Sequence, residues 1–495
     1  MDELAARSEQ PGAGTPSPAA ADLGGIAIRG GAIRVAGYVA GVLVSLGAAT
    51  ILVRHLGVSL FGRYVTVTSL IALVGGVTEA GIYVYGIREF AARAEPDRGR
   101  LLSNLLTMRI GLTIVGVACA ALFALAVGYE TALVLGTVVA GVGLLFQVTS
   151  DVLSISLQSQ LRLGRLTLVD LSRRLIALVL IAALAATGAG LLPLIAASTA
   201  AGAAAVVLLA WTTRSSARIR LAFDPPAWRA LLAATLPYAI AVSIGAVYFY
   251  VTVIVMSLIA SAHQTGLFAT SFRVTQVVLA IPILLLTAVF PLMSRDRFGR
   301  EPVTAHIVDR VLRIAVIGGV WMSLATVLGA PFIIRLIAGS PGHGAIAVLR
   351  IQALVFIPSF ISTSCSLALI SLRHYRQVTL VCAVALLLNV ALGLVLVSAL
   401  GAKGGALADV LTELAVATAL TATLIRMLPG HRIPVSIVPP VVLALGLSAT
   451  MLLLPIGSFA RAIAGSLIYF GVLWLTRAIP PEVAEAAQRV RAAVP

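Results

Sequence analysis

Arg273 stands inside an apolar run, in the order Thr270-Ser271-Phe272-Arg273-Val274-Thr275-Gln276. A guanidinium stays charged at any physiological pH and grips phosphate oxygens through two parallel hydrogen bonds. On a helix, Thr270, Arg273 and Gln276 follow one another at three-residue steps and share a face. Within a bilayer, a charge facing lipid costs about 2.5–3.5 kcal/mol or more, so Arg273 must face protein or a wet cavity. There it meets either an anionic ligand or a carboxylate on another helix. Arg34 and Arg88 stand at the ends of other apolar runs, where each either touches an anionic headgroup or anchors its helix. Glu79, near the end of the second run, has two readings. It pairs with Arg34 or Arg88 and locks one conformation, or it carries a coupling proton. Asp409 and Glu413 lie four apart and so share a helix face. Two acids there invite a coupling cation, against the plainer reading of pairing with arginine or with Lys403. Tyr248 and Tyr250 fall in mid-run, where a buried hydroxyl needs a partner; contact with sugar and simple packing are the two readings. This chemistry is binding and charge compensation. The sequence has no Gly-rich phosphate loop, Ser/His/Asp arrangement or His-rich metal site, and no resident cofactor is expected.

The elements that must position these residues are set by composition. Of 495 residues 60% are hydrophobic, only 11% are charged, and the mean hydropathy is +1.06. About fourteen apolar stretches of roughly 20 residues follow one another, each long enough to span a bilayer as a helix. The expected fold is an all-α polytopic membrane protein. The net charge of +16 would suggest nucleic acid in a soluble chain, but arginine clusters occupy every second gap. By this reading 28 of the 35 Lys and Arg lie in the tails or even-numbered loops, and Arg273 is the one inside a span. That bias puts both termini and the basic loops in the cytoplasm of a multi-pass protein of the cell membrane, and it attracts anionic lipids; it argues against nucleic acid as a partner. Cys119, Cys365 and Cys382 all lie in apolar segments and read as packing residues.

Six units follow from the polar gaps: a disordered cytoplasmic tail (1–30), a six-helix lobe (31–216), a cytoplasmic loop (217–230), a second six-helix lobe (231–428), helices 13 and 14 (429–477) and a cytoplasmic tail (478–495). A weak repeat links the lobes. Gly62 and Tyr64 match Gly266 and Phe268 at an offset of 204, each just past the first hairpin turn of its half. A duplication of this kind builds a midplane cavity between two lobes in several transporters.

The stretch from Arg34 to Arg93 resembles the opening of the polysaccharide-export flippases, in the superfamily that also holds the lipid II flippases and multidrug extruders. The residues are Arg34, then Arg54-His55-Leu56-Gly57, Phe61-Gly62-Arg63-Tyr64, Glu79-Ala80-Gly81 and Arg88-Glu89. The family more often has Asp where Glu79 stands. The resemblance implies an alternating-access transporter rather than an enzyme, driven by a proton gradient, a sodium gradient or the membrane potential. Its implied substrate is a polyprenyl-diphosphate-linked oligosaccharide, with membrane lipids and a polysaccharide polymerase as partners. A drug or cation antiporter of the same superfamily is the alternative; Asp409 and Glu413 favour it, and Arg273 speaks against it.

Overall fold

The computed structural model describes residues 18–79, 81–94, 97–160, 162–213, 222–295, 301–428 and 435–478. The expected tail at 1–30 therefore lies outside them up to residue 17, and α1 begins at Pro18. Outside them too lie 214–221, around the expected lobe boundary, and the C-terminal tail from 479.

In the first half the helices are α1 (Pro18–Glu79), α2 (Ile82–Ala92), α3 (Asp97–Ala126), α4 (Thr131–Ser159), α5 (Leu163–Ala186) and α6 (Leu191–Thr213). Then come α7 (Pro225–Ile259), α8 (Ala262–Arg295), α9 (Glu301–Ala338), α10 (Gly344–Ala353), α11 (Phe356–Ser371), α12 (Tyr375–Leu400) and α13 (Ala402–Met427), followed by α14 (Val438–Ala449) and α15 (Ser458–Leu475). No strand occurs among the described residues. Gly57, at φ 73° and ψ 168°, bends α1 into two arms, a conformation only glycine adopts freely. With α2 continuing the second arm and α10 and α11 forming one broken rod, fourteen rods follow the chain, as the apolar stretches predict. Among the described residues ten helical segments are long and apolar enough to cross a membrane, and this is a multi-pass membrane protein.

Glycines with positive φ close five turns that fall on alternate connections: Gly57, Gly128, Gly188, Gly339 and Gly401. Alternate connections of antiparallel rods share one end, here called the turn end. Cross-links tie these turns together. Arg54 donates to the Leu336 carbonyl at 2.8 Å, and the His55 Nε2 to that of Ala189 at 2.8 Å. Arg63 meets Glu130 at 2.6 Å, and the Tyr129 and Ser257 hydroxyls meet at 2.5 Å. The Ala402 amide donates to Gln264 at 3.0 Å. Arg54 and Arg63 thus serve as ties between turns.

The repeat has a structural counterpart. Gly62 and Gly266 lie against each other where the second arm of α1 crosses the start of α8. A Cβ on Gly62 would stand 2.6 Å from the Gly266 nitrogen, and one on Gly266 only 1.9 Å from the Val58 carbonyl oxygen. Small residues let helix backbones approach this closely in a membrane. Thr66 and Thr270 each donate to the carbonyl of the glycine four residues back, at 3.0 and 2.8 Å. Phe61, Tyr64, Phe268 and Phe272 pack around the crossing in one core that draws on both halves.

Gly266→Ala should destabilise the protein by about 1–3 kcal/mol, the range for overpacking a tight contact. Gly111→Ala, where a Cβ would meet nothing within 4 Å, should be neutral. Thermal unfolding of the purified variants checks this; equal melting temperatures would show that the crossing has room to spare.

Candidate functional site

Within the first half, α1, α4 and α5 enclose a polar cavity of about 310 Å³ lined by Arg34, Glu79, Tyr83, Gln147, Ser150, Asp151, Asp170, Arg173 and Arg174 among others. Arg34 pairs with Asp170 at 3.4 Å, both about half-exposed. Arg174 donates to the Ser45 hydroxyl at 2.6 Å and to the Gly41 carbonyl at 3.3 Å. Gly41 makes that reach possible, since a Cβ there would stand 2.9 Å from the Arg174 Cδ. Behind the cavity wall, Arg109 on α3 is 3% exposed and pairs with Asp151 on α4 at 3.3 Å. Gln147 also donates to Asp151, at 2.8 Å. Tyr83 bonds Gln158 and Ser154. Glu79 is half-buried on the cavity wall, with no ion pair or hydrogen bond among the described residues.

The second half carries a different arrangement. Asp409 accepts from Thr252 at 2.6 Å and from the Asn389 amide at 3.3 Å. Glu413 accepts from Tyr248 at 2.6 Å and from Ser362 at 2.5 Å. Helices α7, α11, α12 and α13 therefore converge on two acids held by neutral donors. No Lys or Arg lies within ion-pair distance of either acid among the described residues. Arg273 is half-buried on α8 and, among the described residues, bonds only the neutral Gln276, at 3.0 Å. Tyr250 packs edge-on against Phe272, with ring centroids 6.5 Å apart.

Several sequence expectations resolve here. Among the described residues Arg273 has no structural ion pair, which was its plainer reading. Asp409 and Glu413 do not pair with Lys403, which is exposed. Arg34 takes Asp170 as its partner instead of Glu79, and Arg88 is exposed on α2 with no ion pair among the described residues. The largest correction concerns arginines read as loop residues. Helix α5 starts at Leu163, so Arg173 and Arg174 sit well inside it, and Arg109 lies in mid-α3. Arg273 is therefore not the one arginine within a helical rod. Leu163, Leu166 and Val169, at three-residue steps, carried the signal for that earlier start of α5. Asp170 and Asn389 went unread; Asn389 is a lone amide in a long apolar run, detectable by the same cost argument as Arg273.

The fold is shared with solved membrane transporters. A structure titled lipid II flippase MurJ, inward closed conformation, matches at a TM-score of 0.75 with 11% identity, over 90% of this chain and 98% of that one. An inward-facing multidrug resistance MATE family transporter of the MOP superfamily matches at 0.63 with 13% identity, over 80% and 97%. A MOP superfamily transporter from Pyrococcus furiosus matches at 0.56 with 15% identity, over 81% and 95%. At these identities the likeness shows the fold alone. The particular family comes from the sequence: the signature described as polysaccharide biosynthesis protein matches residues 27–296, and the chain belongs to that family. Comparison with proteins of curated function gives no match.

Arg109→Leu should leave the partly exposed Asp151 carboxylate with Gln147 alone and cost about 1–3 kcal/mol. Replacing both by Leu should recover much of that loss. A double-mutant cycle on thermal stability checks it; additive losses would mean the two residues act independently.

Proposed function

We propose that the protein is a flippase that carries a polyprenyl-diphosphate-linked oligosaccharide across the cytoplasmic membrane by alternating access, for cell-surface polysaccharide synthesis. The observation that carries this reading is Arg273: a cation inside an apolar helix, bonded to a neutral amide, with no carboxylate in ion-pair range among the described residues. A substrate diphosphate supplies the missing counter-charge. Arg34, whose partner Asp170 is about half-exposed, hands over to phosphate as the headgroup arrives, and Arg88 draws it in from the basic end. Gln276 orients Arg273, Tyr250 offers its hydroxyl to the headgroup, and Tyr248 holds Glu413. No bond of the substrate is made or broken. The arginine-rich loops face the cytoplasm with both termini, and a polysaccharide polymerase receives the product. The two lobes of 31–216 and 231–428 rock about the turn end. Family membership and the flippase-like fold support this reading.

Asp409 and Glu413 are the coupling site in this scheme. Two carboxylates held by hydroxyls and an amide lack a positive partner, and a proton or sodium ion compensates them. The antiporter alternative draws on the same acids, but it has no use for an unpaired arginine on the opposite helix.

Cells lacking the protein should accumulate lipid-linked glycan on the cytoplasmic face. Cells carrying only Arg273→Ala should do the same, with transport reduced about 10–100-fold, the worth of one charge-assisted contact. Asp409→Asn should lose the dependence on the driving gradient while still binding substrate. If no precursor accumulates and drug sensitivity rises instead, the antiporter reading replaces this one.

A further inference from the structure

The diphosphate accounts for the arginines at Arg34 and Arg273, but it leaves the interior of the first half unexplained. Three pockets there share walls. The 310 Å³ cavity shares Arg34, Asp170 and Arg174 with a neighbour of about 260 Å³ between α1 and α5. It shares Gln147 and Arg173 with a third of about 210 Å³ that reaches Tyr64 and Thr68, toward the turn end. The central cavity is mostly polar and its charges are mixed, carboxylates beside guanidiniums, while the two flanking pockets are mostly apolar. In the central cavity the arginines repel a metal or sodium ion. The carboxylates in turn repel a second phosphate, and charges of both signs exclude an acyl chain. A neutral molecule dense in hydroxyls is the class that satisfies both signs at once, because carboxylates accept from hydroxyls while guanidiniums donate to them.

Two groups on the wall of the central cavity have no hydrogen-bond or ion-pair partner among the described residues: the Glu79 carboxylate on α1 and the Arg173 guanidinium on α5. Polar groups left unpaired in a cavity of this size are what a ligand pocket presents for orientation. The neighbouring acids, by contrast, are already paired: Asp170 with Arg34, and Asp151 with Arg109 and Gln147.

We propose that the central cavity of the first half is a glycan subsite, distinct from the diphosphate contacts, in which Glu79 and Arg173 bind sugar hydroxyls and set which headgroups are accepted. The proposal rests on the flippase reading and deepens it. Glu79 becomes a specificity residue in place of a conformational lock or proton carrier.

The test uses the purified full chain in lipid nanodiscs with two probes: undecaprenyl diphosphate without sugar, and the lipid-linked glycan pool extracted from source cells lacking the protein. Glu79→Gln and Arg173→Gln should each weaken binding of the glycosylated lipid about tenfold, the worth of one hydrogen bond to a sugar. Neither should change binding of the bare diphosphate, which also serves as the control for folding. Arg273→Ala should weaken both lipids alike. Glycan binding unchanged in both variants, or an equal loss for both lipids, overturns the subsite. If the intact chain binds neither lipid, the flippase reading itself fails and the subsite falls with it. Bare lipid bound and glycosylated lipid rejected by the intact chain overturns both readings, whereas glycosylated-lipid binding lost in neither variant overturns the subsite alone.

Discussion

Everything in this chain is arranged around the contact of two glycines. Gly62 and Gly266 bring the backbones of α1 and α8 together where any side chain would collide with a main-chain atom. No lateral hydrophobic force holds helices together in lipid, so shape and hydrogen bonding must do so. The crossing supplies the shape. The ties from Arg54, His55 and Tyr129 around it supply the hydrogen bonds. Because the two glycines occupy matched places in the repeat, one crossing relates the two halves, and each half offers the same Gly-x-aromatic-x-Thr stretch to it.

Away from the crossing, the halves handle charge in opposite ways. The first half sets arginines against acids, as in Arg34–Asp170 and Arg109–Asp151. The second leaves its cation and its acids apart: Arg273 with an amide, Asp409 and Glu413 with hydroxyls and an amide. A pair that is already neutral has little call on a mobile ion, whereas a separated charge stays open to one. On the proposed reading, the separated charges of the second half suit a phosphate and a coupling ion, and the mixed charges of the first-half cavity suit a neutral, hydroxylated group.

The number of rods and their order were legible in the sequence, because a bilayer imposes one length on every apolar stretch. Arg273, Asp409 and Glu413 were legible for a related reason: a charge in an apolar run stands out against its neighbours. Arg173 and Arg174 were not. They lie near a cluster of surface arginines, and only the helical phase of Leu163, Leu166 and Val169 separates the two environments. Partners were the least visible layer. That Arg34 meets Asp170, 136 positions on, is a fact of how α1 lies along α5, which no local pattern encodes. The match of Gly62 to Gly266 could be read, but not that the matched residues touch.

The glycine turns have a mechanical consequence. With five of these connections closed by single glycines of positive φ, the turn end has almost no slack, and each pair of rods behaves as a stiff lever clamped at its hinge. A rod of 26 residues such as α12 is about 39 Å long. Tilted by about 10° around a clamped end, it sweeps its free end through about 7 Å, by the same helical rise. A rotation of that size at the glycine crossing would thus be geared up into a wide displacement at the basic end.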